Sequence, residues 1–138
     1  MRILVVDDEE TSRDKVANLL SDYGECAEAT DGSAALCLFG HAHGMGKPFD
    51  LITMDVEMPN LRGQDVVRAI RNWERRNEQD LSGKKATIVM LTSMTGAGAI
   101  FEAYEQSCDD YVVKPITPAK VRASMEKLGI AAACAGEG

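Results

Sequence analysis

Five short apolar runs alternate with segments whose apolar residues recur at helical spacing. The runs are Arg2–Val6, Cys26–Ala29, Leu51–Met54, Thr87–Leu91 and Asp110–Val113. Each has the length of a strand, and Ile, Leu, Val and Met dominate all but the weak second one. Between them the spacing predicts helices. Val16, Leu19, Leu20 and Tyr23 mark a first helix over Thr11–Tyr23, with Thr11 or Ser12 as cap and Gly24 as its end. Asp31-Gly32 reads as a turn and Ser33 as the cap of a second helix carrying Ala35, Leu36, Leu38 and Phe39. His41–Pro48 reads as a glycine-rich loop. A third helix begins near Arg62–Gln64 and carries Val66, Val67, Ile70 and Trp73. Its charged continuation, Glu74–Lys85, reads as a solvated extension plus loop. Met94–Ala99 is a small, glycine-rich connection, Ile100–Ser107 a fourth helix, and Pro118–Leu128 a fifth, closed by Gly129 with Ile130 just beyond. Strand–helix alternation of this kind predicts one parallel sheet covered on both faces, with right-handed crossovers. Residues 1–130 then form one domain, and Ala131–Gly138 a flexible tail.

A length of 138 residues and 45% hydrophobic content suit a single core of ordinary size. The net charge of −7 excludes a whole-chain basic footprint for nucleic acid and argues against anionic membranes. No apolar run approaches the ~20 residues of a spanning helix, so no membrane insertion is expected. Strand residues follow Met1-Arg2 directly, which argues against a signal peptide and for a cytoplasmic protein. Cys26, Cys37, Cys108 and Cys134 fall into no metal or redox spacing and read as reduced thiols, with Cys37 and Cys108 in the core and Cys134 exposed. His41-Ala42-His43 has no third ligand nearby in sequence and reads as solvated loop rather than metal site.

The chemistry lies at the strand ends. In a parallel sheet of this kind every C-terminal strand tip falls on one edge, where open α/β sheets place their active groups. Asp7 and Asp8 follow the first strand, Asp55 the third, Thr92 the fourth, and Lys114 the fifth. Pro59 stops the third strand from continuing past Asp55. Three carboxylates on one edge repel one another, and a hard divalent cation relieves this. Asp8 and Asp55 suit direct ligation of Mg²⁺, Asp7 ligation through water, and the backbone carbonyl of Glu57 would complete the set. A carboxylate beside such a cation can accept a phosphoryl group. Lys114 would hold one phosphoryl oxygen and Thr92 would donate a hydrogen bond to another. Glu9 reads as a first-turn acid favoured by the helix dipole.

Four motifs carry a family resemblance. Val-Val-Asp-Asp-Glu stands at 5–9, Met-Asp-Val-Glu-Met-Pro at 54–59 with Gly63, Leu-Thr-Ser at 91–93, and Asp-Tyr-Val-Val-Lys-Pro at 110–115. In this order, over about residues 2–129, the chain resembles the receiver domain of two-component response regulators, and in particular the stand-alone chemotaxis-type members. The resemblance implies a flavodoxin-like (βα)₅ fold with strand order 2-1-3-4-5. It implies Asp55 as phosphoacceptor, Asp7 and Asp8 as the acidic metal pocket, Lys114 as the phosphate contact, and Thr92 with Tyr111 as a switch pair. Mg²⁺ is the implied cofactor, with Mn²⁺ as a substitute. The implied partners are a sensor histidine kinase or phosphotransfer protein and a downstream protein target. That target would meet the face built from the fourth helix, fifth strand and fifth helix.

The chain departs from the family at Arg62, where an acid or amide commonly precedes the glycine. Glu57 and Met94 occupy the two positions that tune attack of water on the phosphorylated side chain. Competing functions fit less well. An aspartyl-nucleophile phosphatase would want an Asp where Glu57 stands, and a cap domain. A flavin- or dinucleotide-binding module would need glycines or hydroxyls where Asp7-Asp8-Glu9-Glu10 stand. A degenerate receiver that acts as an adaptor without phosphorylation is opposed by the intact set of five groups.

Overall fold

The computed structural model describes residues 1–56, 58, 62–81, 84–93 and 108–132. Five parallel strands, β1 (Arg2–Val6), β2 (Glu25–Ala29), β3 (Leu51–Asp55), β4 (Thr87–Thr92) and β5 (Asp110–Val113), form one sheet in the order β2-β1-β3-β4-β5. The helices are α1 (Glu10–Leu20), α2 (Gly32–Gly44), α3 (Gly63–Arg76), a single turn α4 (Glu78–Leu81), and α5 (Pro118–Lys127). This is the expected doubly wound architecture.

The continuous apolar runs are explained by burial on both faces. Along β1 and β3, alternate side chains leave the sheet on opposite sides. Leu4, Val6, Ile52 and Met54 pack with Ala35 and Phe39 of α2 and with Val66, Val67 and Ile70 of α3. Ile3, Val5 and Leu51 pack with Val16 and Leu20 of α1 and Val121 and Met125 of α5. The sheet's central strands are thereby dry, and their C-terminal tips form one edge. β2 pairs along its whole length with β1, although only Ala29 in it is fully buried. Its polar sequence suits an edge strand.

Several boundaries differ from the sequence expectation. The segment around His41 is not loop: α2 runs on to Gly44 and carries both histidines in its last turn. The physical reason is an aromatic cluster. The His43 ring lies 4.7 Å from that of Phe39 and 4.5 Å from that of Trp73 on α3, while Phe39 and Trp73 meet edge-to-face at 5.4 Å. Burying this surface outweighs the helix cost of Gly40. The same rotation of α2 leaves Cys37 exposed rather than in the core, whereas Cys108 is buried as expected. Asp31, not Ser33, caps α2, its carboxylate accepting from the Ala34 N–H at 2.8 Å. At α1 neither Thr11 nor Ser12 is the cap: Glu9 occupies that position without a side-chain bond, and Glu10 is the first-turn acid.

The charged stretch after Trp73 is not wholly solvated either. Glu74 is 2% exposed. It accepts from Arg71 Nη1 at 2.7 Å and from the Ala86 N–H at 2.8 Å. Arg71 in turn donates to the Ala86 carbonyl and to Asp109. This network ties the end of α3 to the start of β4 and to the residue before β5. At the other end of α5, Gly129 has φ +75°, and Gly129 and Ile130 donate to the Glu126 and Met125 carbonyls. That is the expected glycine-ended helix terminus. The predicted helix at 100–107, the connection at 94–99 (with Met94), Cys134 and most of the tail lie outside the described residues.

Candidate phosphoacceptor site

The edge formed by the strand tips gathers the residues the sequence singled out. Asp7 follows β1 and is 1% exposed; Asp55 ends β3 at 2%; Thr92 ends β4 at 0%. Lys114 follows β5, and its Nζ lies 3.1 Å from Asp55 Oδ1. Asp8 is exposed, at the mouth of the site. Oxygens of Asp7, Asp8 and Asp55 all lie within 4.8 Å of one another. Glu57, whose carbonyl was expected to complete the set, lies outside the described residues. Tyr111 is half-buried on β5, registered opposite Met90 and packed on the core face shared with α2 and α3.

Local structure explains why these groups are held still. The Asp7 N–H donates to the Ala29 carbonyl at the end of β2, and Asp7 Oδ1 accepts from the Glu9 N–H at 2.9 Å. Arg13, one turn into α1, donates to the Asp7 carbonyl at 3.1 Å and pairs with Glu28. Behind Asp55, α3 approaches without clearance. A Cβ on Gly63 would overlap the Asp55 carbonyl oxygen and lie 3.0 Å from the Val56 Cα. Only glycine permits that approach. The Lys114 N–H donates to the Thr92 carbonyl at 2.7 Å, so β4 fixes the backbone from which the ammonium reaches Asp55.

The electrostatics are those of crowded anions. Burial holds the Asp7 carboxyl above its usual range, and the charges of Asp55 and Asp8 push it further up; the Glu9 N–H and Lys114 pull the other way. Asp7 Oδ2 is buried and accepts no hydrogen bond among the described residues. A buried carboxylate oxygen without a donor, beside two further carboxylates, is a hard, anionic donor set. It fits a small divalent cation such as Mg²⁺ and would suit neither a soft metal nor an anion. Thr92 Oγ1 is likewise buried with no partner among the described residues.

The model for the response regulator receiver domain matches residues 3–126. This chain belongs to that family. Among its relatives, the receiver is 35% identical over 130 residues to the chemotaxis protein CheY of Pseudomonas aeruginosa, spanning 93% of this chain and 95% of the relative. Two solved structures resemble it closely in fold. One is the chemotaxis protein CheY4 of Vibrio cholerae, at a TM-score of 0.69 and 29% identity, covering 91% of this chain and 96% of that one. The other is the response regulator TrrA of Thermotoga maritima in complex with Mg²⁺-BeF, at a TM-score of 0.70 and 30% identity, covering 92% and 97%.

Some participants were not legible in the sequence. Arg13 and Lys120 sit on the polar sides of their helices and look like ordinary solvated cations. Arg13 donates to the backbone carbonyl of the site residue Asp7, and Lys120 Nζ to those of Val113 and Pro115, on either side of Lys114. Carbonyl acceptors carry no sequence signal, so only the fold reveals such bonds.

Proposed function

We propose that this receiver is a phosphorylation-dependent switch of a two-component system, and that Asp55 is its phosphoacceptor. The carrying observation is the pairing of buried Asp55 with Lys114 at 3.1 Å inside a cluster of three carboxylates. In the step, an Asp55 carboxylate oxygen forms a bond to phosphorus. The bond from phosphorus to the donor breaks, a phosphorus–nitrogen bond when the donor is a phosphohistidine of a sensor kinase or phosphotransfer protein. The donor nitrogen leaves with the electron pair. Asp7, Asp8, Asp55 and the Glu57 carbonyl would hold Mg²⁺, or Mn²⁺ in its place, and the ion would neutralise charge between the acids and the incoming phosphoryl oxygens. Lys114 shifts from Asp55 to a phosphoryl oxygen. The buried Thr92 hydroxyl, which has no partner among the described residues, donates to another.

Thr92 moving toward the phosphoryl group frees space beside β5, into which Tyr111 turns. A local charge thus drives a two-state packing change. The signal leaves through the face that β5 and α5 present, to a separate protein target; the fourth helix expected to share that face lies outside the described residues. Residues 1–130 form the receiver unit and 131–138 a tail. The protein acts in the cytoplasm as a signalling switch, with self-phosphorylation and self-dephosphorylation its only chemistry. The TrrA complex with Mg²⁺-BeF and the chemotaxis relatives support this reading.

Acetyl phosphate with Mg²⁺ should add one phosphoryl group, about 80 Da, to the intact mass. Asp55→Asn should abolish the addition. Labelling of Asp55→Asn at the normal rate would refute the assignment.

A further inference from the structure

Lys120 is the one described cation that brackets a site residue without touching the site. It lies in the first turn of α5, where its N–H donates to the Thr117 side chain that caps the helix, at 3.2 Å. Its Nζ donates to the Val113 carbonyl at 2.8 Å and to the Pro115 carbonyl at 3.0 Å. Those are the carbonyls immediately before and after Lys114. The Lys114 N–H is held by the Thr92 carbonyl at 2.7 Å. Three bonds therefore fix the main chain on both sides of the residue whose long, flexible stem must deliver an ammonium to Asp55.

We propose that Lys120 is a positioning residue for Lys114 and couples α5 to the phosphoacceptor site. Lys120 clamps the β5–α5 turn, so the Lys114 stem starts from one fixed backbone position. The ammonium then reaches Asp55, or a phosphoryl oxygen on it, with less ordering left to do. Without the clamp, the bond from the Lys114 N–H to the Thr92 carbonyl of β4 still holds the main chain, but the Val113 and Pro115 carbonyls lose their Lys120 donor. Coupling runs both ways. A phosphoryl group that holds Lys114 strengthens the clamp on α5, and a partner that draws Lys120 into its own contacts loosens Lys114. The inference rests on the proposed role of Asp55 and Lys114 in phosphoryl transfer.

The test uses the full chain with acetyl phosphate, beryllofluoride and Mg²⁺, and the variants Lys120→Met and Lys120→Arg. Met keeps an apolar stem of similar length and removes every donor. Charge-assisted bonds of this kind support an effect of up to about tenfold. Lys120→Met should label roughly 5- to 10-fold more slowly at saturating donor and bind beryllofluoride correspondingly more weakly. Mg²⁺ affinity by calorimetry should stay at the wild-type value, because the carboxylates are untouched. Lys120→Arg should restore much of the rate. Should Lys120→Met fail to fold, Lys120→Leu, which also lacks a donor, replaces it with the same expectation. Wild-type labelling in the donor-less variant overturns the inference, as does a parallel fall in Mg²⁺ affinity, which would show general distortion. Failure of the wild type itself to label would instead refute the proposed function, and this inference with it.

Discussion

Removing one carboxylate from the acidic edge should stabilise the metal-free protein. Oxygens of Asp7, Asp8 and Asp55 lie within 4.8 Å of one another. Two unit charges at that separation repel by about 0.9 kcal/mol in water and about 3.5 kcal/mol at an effective dielectric of 20. Asp8 is exposed, so the lower figure applies, and salt reduces it further. Two carboxylate neighbours, partly offset by Lys114, leave a gain of about 1 kcal/mol for Asp8→Ala at low ionic strength. For a domain of this size that raises Tm by about 3–5 °C. Mg²⁺ at ten times its Kd should stabilise the wild type by about 1.4 kcal/mol and the variant by little. Thermal unfolding followed by far-UV circular dichroism, with and without MgCl₂ and across salt concentrations, measures both effects. Asp7 fixes the sign with pH. Its folded-state pKa is raised, so its contribution to stability is complete below the ordinary value of 3.8 and is lost as pH rises through the raised one. The metal-free wild type should therefore weaken over that interval, and Mg²⁺ should remove the loss. An Asp8→Ala variant that melts lower without metal, or that keeps the whole Mg²⁺ response, would refute the reasoning.

Two further outcomes test the fold around the site. Glu74→Ala deletes a 2%-exposed acid that holds Arg71 and the Ala86 N–H, and should cost about 3 kcal/mol, read as a fall in the urea midpoint; an effect below about 1 kcal/mol would mean the network is not holding α3 to β4. Burial pushes the Cys108 thiol up to about 11, so maleimide near neutral pH should label exposed Cys37 quickly and Cys108 only after unfolding; the stability this thiol contributes is complete below the ordinary thiol value of 9.0 and is lost as pH rises through about 11.

The sequence by itself determined the layering and the location of the chemistry. Apolar runs such as Ile3–Val6 are too continuous for a sheet with one wet face, and their alternation with helical spacing leaves few topologies. Once the strands are parallel, Asp7, Asp55, Thr92 and Lys114 must share an edge, because each follows or ends a strand. Helix ends, partners and exposures depended on tertiary contacts instead. Whether α2 stopped before His41 or ran to Gly44 was decided by Phe39 and Trp73 meeting across two helices, which local spacing does not encode. Glu74 reads as one charge among many, and only packing against Arg71 and the start of β4 made it a buried acid. Cys37 turned outward because the rotation of α2 is set by its large residues. Arg13 and Lys120 found their roles through backbone carbonyls that every residue carries. Periodicity records which face of an element is dry. It does not record which long polar side chain meets which carbonyl once the elements have docked.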